Sequence, residues 1–264
     1  MSVRFEVEGS GADPAEGAAV VFGGASGLGE AAARRLAKTY GLVVVADRDE
    51  ARAQAVAAEI GGVAVGCDVT DEAGVQAALA AGADASAGVR LGVSCAGIAP
   101  PAKLVGKAGV APLDHFAATI NVNLLGTINA LRLTAAAMQG NEPDAGGERG
   151  VFVMTASIAA FDGQVGQVAY SASKGGVAAA TLPAARELAA TGIRVMTIAP
   201  GLFDTPMMAG LPEPARESLG KSVPFPARLG DPSEYADLVA HIAANRMLNG
   251  EVIRLDGAIR MAPR

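Results

Sequence analysis

The chain has 264 residues, of which 51% are hydrophobic and 18% charged, with a net charge of -6. That balance buries a large core and excludes a disordered or collagen-like chain; glycine, at 34 residues, never recurs in threes. No uncharged stretch of 18 residues is purely apolar and no Lys/Arg run occurs, so neither a membrane nor nucleic acid is the expected partner.

The first 17 residues, MSVRFEVEGSGADPAEG, have no apolar signal core and too many acids for a transit peptide, so they read as a partly flexible extension of a cytoplasmic protein. Residues 18–264 read as one domain. Short apolar runs, Ala18–Phe22, Leu42–Ala46, Val63–Cys67, Val89–Ser94, Val151–Thr155, Ile193–Ala199 and Val252–Leu255, predict seven buried strands. Helical patterns fill the gaps: Leu28–Thr39, Glu50–Glu59, Asp71–Ala81, Leu113–Met138, Tyr170–Ala190 and Ser233–Asn245. Strand followed by helix, repeated, predicts an α/β fold: a doubly wound parallel sheet with helices on both faces. Three Pro/Gly-rich stretches, Ala99–Pro112, Gly140–Gly150 and Gly201–Gly230, are expected as loops lining the substrate side.

The first strand enters GGASGLG, with Gly23, Gly27 and Gly29 ahead of a helix. Glycines there allow positive φ and close backbone approach, and the helix N-terminus offers free N–H groups to a pyrophosphate. The second strand ends in Asp47, 18 residues beyond Gly29. A carboxylate at that tip accepts hydrogen bonds from an adenosine ribose and repels a 2′-phosphate, which favours NAD over NADP. Arg48, beside it, is the counterweight. Asp68, ending the third strand, is either a neighbour of the adenine or a cap for the next helix.

The strongest cluster follows the fifth strand. Ser157 comes after VFVMTA, Tyr170 is 13 residues later, and Lys174 is four beyond Tyr170, on the same helix face. With three Tyr and five Lys in the chain, chance pairs at that spacing number about 0.06. A lysine ammonium beside a tyrosine is expected to lower its pKa from the usual value near 10, and Ser157 can bond the same substrate oxygen. Two cysteines and two histidines, Cys67, Cys95, His115 and His241, make no metal or disulfide framework, and no metal is expected.

Together these residues resemble the short-chain dehydrogenase/reductase family over nearly the whole chain after residue 17. The resemblance implies a Rossmann-like seven-stranded sheet in the order 3-2-1-4-5-6-7, a homotetramer, and Asn123, Ser157, Tyr170 and Lys174 as catalytic residues. On the bare sequence Asn123 reads as a mid-helix polar residue bonding to backbone. The resemblance puts NAD along Gly23, Ser26, Gly27, Leu28 and Gly29, then Asp47, Asp68 and Val69, then Ala96 and Gly97, and finally Tyr170, Lys174, Pro200, Gly201 and Thr205. GQVGQVAYSASKGG, IRVMTIAPGLFDTP, VPFPARLGDPSEYADLV and NGEVIRLDGAIRM resemble the type 2 branch that oxidises short and branched 3-hydroxyacyl-CoA with NAD. In that branch Gln164, with Ser157 and Tyr170, lies beside the substrate. The chain departs from the family at Phe22 and Ser94, where Thr and Asn are usual; the Thr hydroxyl normally ties the first strand's end to the fourth strand's turn. An NADPH-dependent 3-oxoacyl-carrier-protein reductase, which Asp47 argues against, and a silent NAD-binding scaffold are the competing readings.

Overall fold

Runs of Val and Ala set the frame, because β-branched side chains suit a sheet covered on both faces. The structure is a computed structural model that describes residues 16–107, 109–210 and 212–263. Most of the N-terminal extension, residues 1–15, lies outside the described residues. Seven strands form one sheet: β1 (Ala18–Phe22), β2 (Leu42–Asp47), β3 (Val63–Gly66), β4 (Val89–Ser94), β7 (Gly150–Thr155), β8 (Ile193–Pro200) and β9 (Val252–Leu255). Every pairing is parallel, in the order β3-β2-β1-β4-β7-β8-β9, with Val21 opposite Val45 and Val93. This is the doubly wound, Rossmann-like sheet expected.

Alternation along the strands divides the core in two. Val20, Phe22, Val44, Phe152 and Met154 pack with α3 (Glu72–Asp84), α5 (Gly126–Gln139) and α6 (Val168–Leu188). Val21, Val43, Val45, Val153 and Ile198 point the other way, to α1 (Gly27–Leu36), α2 (Glu50–Ile60) and α9 (Pro232–Ala244). Among the described residues no helix is long and apolar enough to cross a membrane.

Three expectations change. The long helix predicted over Leu113–Met138 is α4 (Leu113–Ile120), a wide π-type turn at Asn121–Leu125, and α5; the Gly126 N–H bonds Asn121 O, five residues back. The loops after β4 and β8 carry structure of their own: a two-residue hairpin, β5 (Val105–Gly106) with β6 (Gly109–Val110), and two helices, α7 (Pro206–Ala209) and α8 (Glu213–Lys221). The stretch 140–150 does not line the substrate side. It joins a helix to the start of a strand, so it opens on the amino edge of the sheet, where Asn141 Nδ2 donates to Val89 O at 2.8 Å and Arg149 O at 2.9 Å.

That amino edge is held by a buried guanidinium. Arg194 on β8 makes two bonds to the Glu148 carboxylate, at 2.8 and 3.1 Å, and donates to the carbonyls of Ile242, Ala243, Asn245 and Leu248. It thereby satisfies the open carbonyl end of α9, which the helix itself leaves unpaired. Replacing Arg194 by Met strands Glu148 and these carbonyls together, and a loss of about 3–5 kcal/mol in urea unfolding is expected. An unchanged midpoint would show that water takes over the guanidinium's bonds.

Candidate active site

The carboxyl edge of the sheet opens into one cavity of about 720 Å³, within the range of a cofactor site. One end is built by the glycine turn after β1. A Cβ at Gly29 would run into the Gly23 carbonyl oxygen, and one at Gly23, whose φ is +77°, would sit 2.5 Å from Ala96 N. Glycine is therefore required at both. Ser26 caps α1 without a side-chain bond to the helix, so the first turn faces the cavity with its N–H groups uncapped by any side chain.

Asp47 closes this end from β2. Its Oδ2 accepts from Ala25 N at 3.1 Å, which ties it to the glycine turn, and its Oδ1 accepts from Asp49 N at 3.0 Å. Arg48 shares the wall but is exposed. Asp68 is held below the usual carboxylate range first by the Thr70 N–H and then by its hydroxyl. The helix cap is Asp71 instead, which accepts from Ala73 N and Gly74 N. That leaves Asp68 on the cavity wall with Val69 and Cys67. The hydroxyl tie lost at Phe22 is supplied by main chain: Cys95 N and Ala96 N both donate to Phe22 O, at 2.7 and 3.1 Å. Ser94 Oγ lies 3.4 Å from Thr127 Oγ1, buried.

The other end holds Ser157, Tyr170 and Lys174, brought together from the end of β7 and the first turns of α6. The ladder between β4 and β7 stops at the Ser94–Met154 pair, so the next carbonyl, Thr155 O, has no strand partner there. Lys174 Nζ donates to it at 2.7 Å, and lies 5.9 Å from the Tyr170 ring centroid. Lys174 is only 4% exposed, and burial pushes its ammonium down to about 8. Tyr170 departs from the sequence expectation. Burial raises its phenol above the ordinary value, outweighing the lowering that the Ser157 hydrogen bond brings. Ser157 Oγ also accepts from Ala159 N, at 3.1 Å.

Asn123 stands behind the wall, fully buried in the π-type turn. Its Oδ1 accepts from Ile98 N at 2.8 Å, while its Nδ2 donates to Ile98 O at 2.9 Å and Ser173 Oγ at 3.1 Å. It clamps the chain just after Ala96 and Gly97, both wall residues, as are Leu28, Gly27, Pro200, Gly201 and Thr205. Gln164 is not brought in with the others. Its Nε2 donates to Ala262 O at 2.8 Å, and Gln167 takes the wall position. Burial pushes both thiols up, Cys67 to about 12.

Sequence reasoning missed a second layer. Tyr235 of α9, fully buried, shares a 2.8 Å hydrogen bond with Thr155 Oγ1 and lies 3.4 Å from Cys95 Sγ. These partners are separated by 80 and 140 residues, so no local pattern announces them. The glycine turn, the uncapped helix end and Asp47 together fit a dinucleotide laid from Asp47 toward Tyr170.

A family model described as short chain dehydrogenase matches residues 17–216. The chain is 54% identical to the 3-hydroxyacyl-CoA dehydrogenase type-2 of Drosophila melanogaster, over 92% of this chain and 97% of that protein. It is 53% identical to the Homo sapiens protein of the same name, over 93% and 95%. The crystal structure of 3-hydroxyacyl-CoA dehydrogenase type-2 from Mycobacterium avium superposes with a TM-score of 0.91 at 44% identity, covering 95% of this chain and 98% of that one. A 7 alpha-hydroxysteroid dehydrogenase, solved with NADH and 7-oxo glycochenodeoxycholic acid, shares the fold at a TM-score of 0.84 and 24% identity, over 94% and 96%.

Tyr235→Phe keeps the ring and removes the hydroxyl that pairs with Thr155, whose Oγ1 is left with only a long contact to Cys95 Sγ at 3.5 Å. A loss of about 1–3 kcal/mol is expected in urea unfolding, the cost of a buried hydroxyl left without its partner. Adding Thr155→Val should recover part of it, since both polar atoms are then gone. Additive losses would contradict the pairing.

Proposed function

The chain belongs to the short-chain dehydrogenase family, and we propose that it is an NAD-dependent enzyme interconverting 3-hydroxyacyl-CoA and 3-oxoacyl-CoA with short or branched acyl chains. The observation that carries this is one cavity with Asp47 at one end and the Ser157, Tyr170 and Lys174 group at the other. When bound, the nicotinamide dinucleotide supplies the redox chemistry, exchanging a hydride with the substrate's 3-carbon. Asp47 takes the adenosine ribose and repels a 2′-phosphate. Gly23, Ser26, Gly27, Leu28 and Gly29 hold the pyrophosphate. Asp68 and Val69 flank the adenine, and Ala96, Gly97, Pro200, Gly201 and Thr205 line the nicotinamide side.

Tyr170 moves the proton of the substrate oxygen, as acid in reduction and base in oxidation. Ser157 hydrogen-bonds that same oxygen. The Lys174 ammonium holds the nicotinamide ribose, and Asn123 fixes the backbone at Ile98. Lys103 and Lys107, both exposed on the loop beside the wall residue Pro101, suit the phosphates of CoA through screened attraction. Identity with the 3-hydroxyacyl-CoA dehydrogenases named above supports the substrate class. The half-exposed Leu125, Ile128 and Leu182 on and beside α5 and α6 suit a homotetramer whose contact uses these helices.

Steady-state reduction of acetoacetyl-CoA with NADH and with NADPH tests the reading: NADH should be preferred. Asp47→Ala should shrink that preference about tenfold or more, by removing one charged acceptor and its repulsion. A wild-type preference for NADPH, with Arg48 on the rim answering for it, would favour the carrier-protein reductase instead.

Tyr170→Phe should lower turnover about 10²-fold or more while NADH still binds. Reduction needs Tyr170 protonated, which burial secures through neutral pH, and Lys174 charged, which fails above its value of about 8. The reductive rate should therefore be flat near neutrality and decline above about pH 8. A rate that rises through that range would contradict the assignment of these two groups.

A further inference from the structure

Residues 257–263 fold back rather than trail from the sheet. After Gly257 the chain reverses at Ala258, which sits at φ +67°, a left-handed conformation that costs a residue with a Cβ. Ala258 N donates to Asp256 Oδ1 at 3.0 Å, and Asp256 Oδ2 accepts from Arg254 Nε at 2.8 Å. The second arm of Arg254 reaches Asp162 Oδ2 at 2.5 Å and Ile259 O at 3.1 Å. Further on, Gln164 Nε2 donates to Ala262 O at 2.8 Å and Val165 N to Pro263 O at 3.1 Å. The segment from Ala258 to Pro263 is thus pinned along residues 162–165 on both sides of Met261.

Met261 is the residue of this tail that lines the cavity. It packs, with Leu202, against the buried cluster of Ile158, Val223 and Ile259, and Ile158 follows Ser157 directly. Met261 therefore closes the Ser157 end, away from Asp47, where Ile158, Leu202 and Met208 make the wall apolar. A segment held on both sides of Met261 by Arg254, Gln164 and Val165 presents its thioether at a fixed depth.

We infer that Met261 is the end wall of the acyl subsite and sets the acyl length the enzyme accepts, with Gln164 as the positioning residue that holds it there. The inference rests on the acyl-CoA reading given above. A side chain at a pocket's end discriminates by about 10- to 200-fold per methylene, and an unbranched thioether fits straight and branched ends alike.

The test compares kcat/KM for 3-oxoacyl-CoA thioesters of four, six, eight and ten carbons in the full-length protein, with NADH. Met261→Ala should raise the eight-to-four-carbon ratio about tenfold or more. Gln164→Ala should raise it in the same direction by less, and Met261→Phe should lower it. The ratio reports pocket depth; a loss of general stability would lower every length together. If Met261→Ala fails to fold, Met261→Phe and Gln164→Ala still decide the matter. Unchanged ratios in folded variants that reduce the four-carbon thioester would overturn the Met261 assignment alone. A wild-type enzyme that reduces none of the thioesters would overturn the acyl-CoA reading and this inference with it.

Discussion

A lysine ammonium buried at the end of the central strands is the constraint on which the site depends. Among the described residues no ion pair involves Lys174; its ammonium donates to a main-chain carbonyl, Thr155 O. A buried cation without a carboxylate is costly, and the protein answers with a lowered pKa and an oriented carbonyl. That carbonyl is free because β4 leaves the ladder after Ser94, and β4 leaves because Cys95 and Ala96 turn to bond Phe22 O. The glycine turn, the gap in the ladder and the lysine are consequences of one chain path.

The same path explains why the two ends of the cavity stay in register. Asp47 bonds the glycine turn through Ala25, and Gly23 and Gly24 donate to Ala46 O, so the β1 and β2 tips move together. At the other end Asn123 grips both the N–H and the carbonyl of Ile98, and Tyr235 reaches through the opposite layer to hold Thr155. Helices on both faces of the sheet thus support the one edge where the chemistry is concentrated, as open α/β sheets require of a ligand crevice. The far edge is tied together by Arg194.

What the sequence announced was whatever depends on neighbours in the chain. Strand limits at Ala18–Phe22, Val89–Ser94 and Val252–Leu255 are those observed, because a short apolar run is a local signal. The Tyr170–Lys174 pair was readable because four residues make one helical turn. The π-type turn was not: it exists to aim Asn123 at Ile98, 25 residues away, and the helical pattern runs straight through it. Gln164 was placed at the substrate by resemblance, but its amide instead pins Ala262, 98 residues on. Stretch 140–150 has the composition of a functional loop, yet direction of travel puts it on the wrong edge, a fact of topology rather than of residue type.

The state of Lys174 tests this account most directly. In protein carrying ¹⁵N-labelled lysine, with Lys174→Arg used to assign the signal, the Nζ resonance can be followed through an NMR pH titration. Lys174 should titrate near 8, well below the ordinary lysine value of about 10.4. A Lys174 midpoint at that ordinary value would mean the ammonium is solvated and not held on Thr155 O, and the arrangement described for Tyr170, Ser157 and Asn123 would lose its anchor.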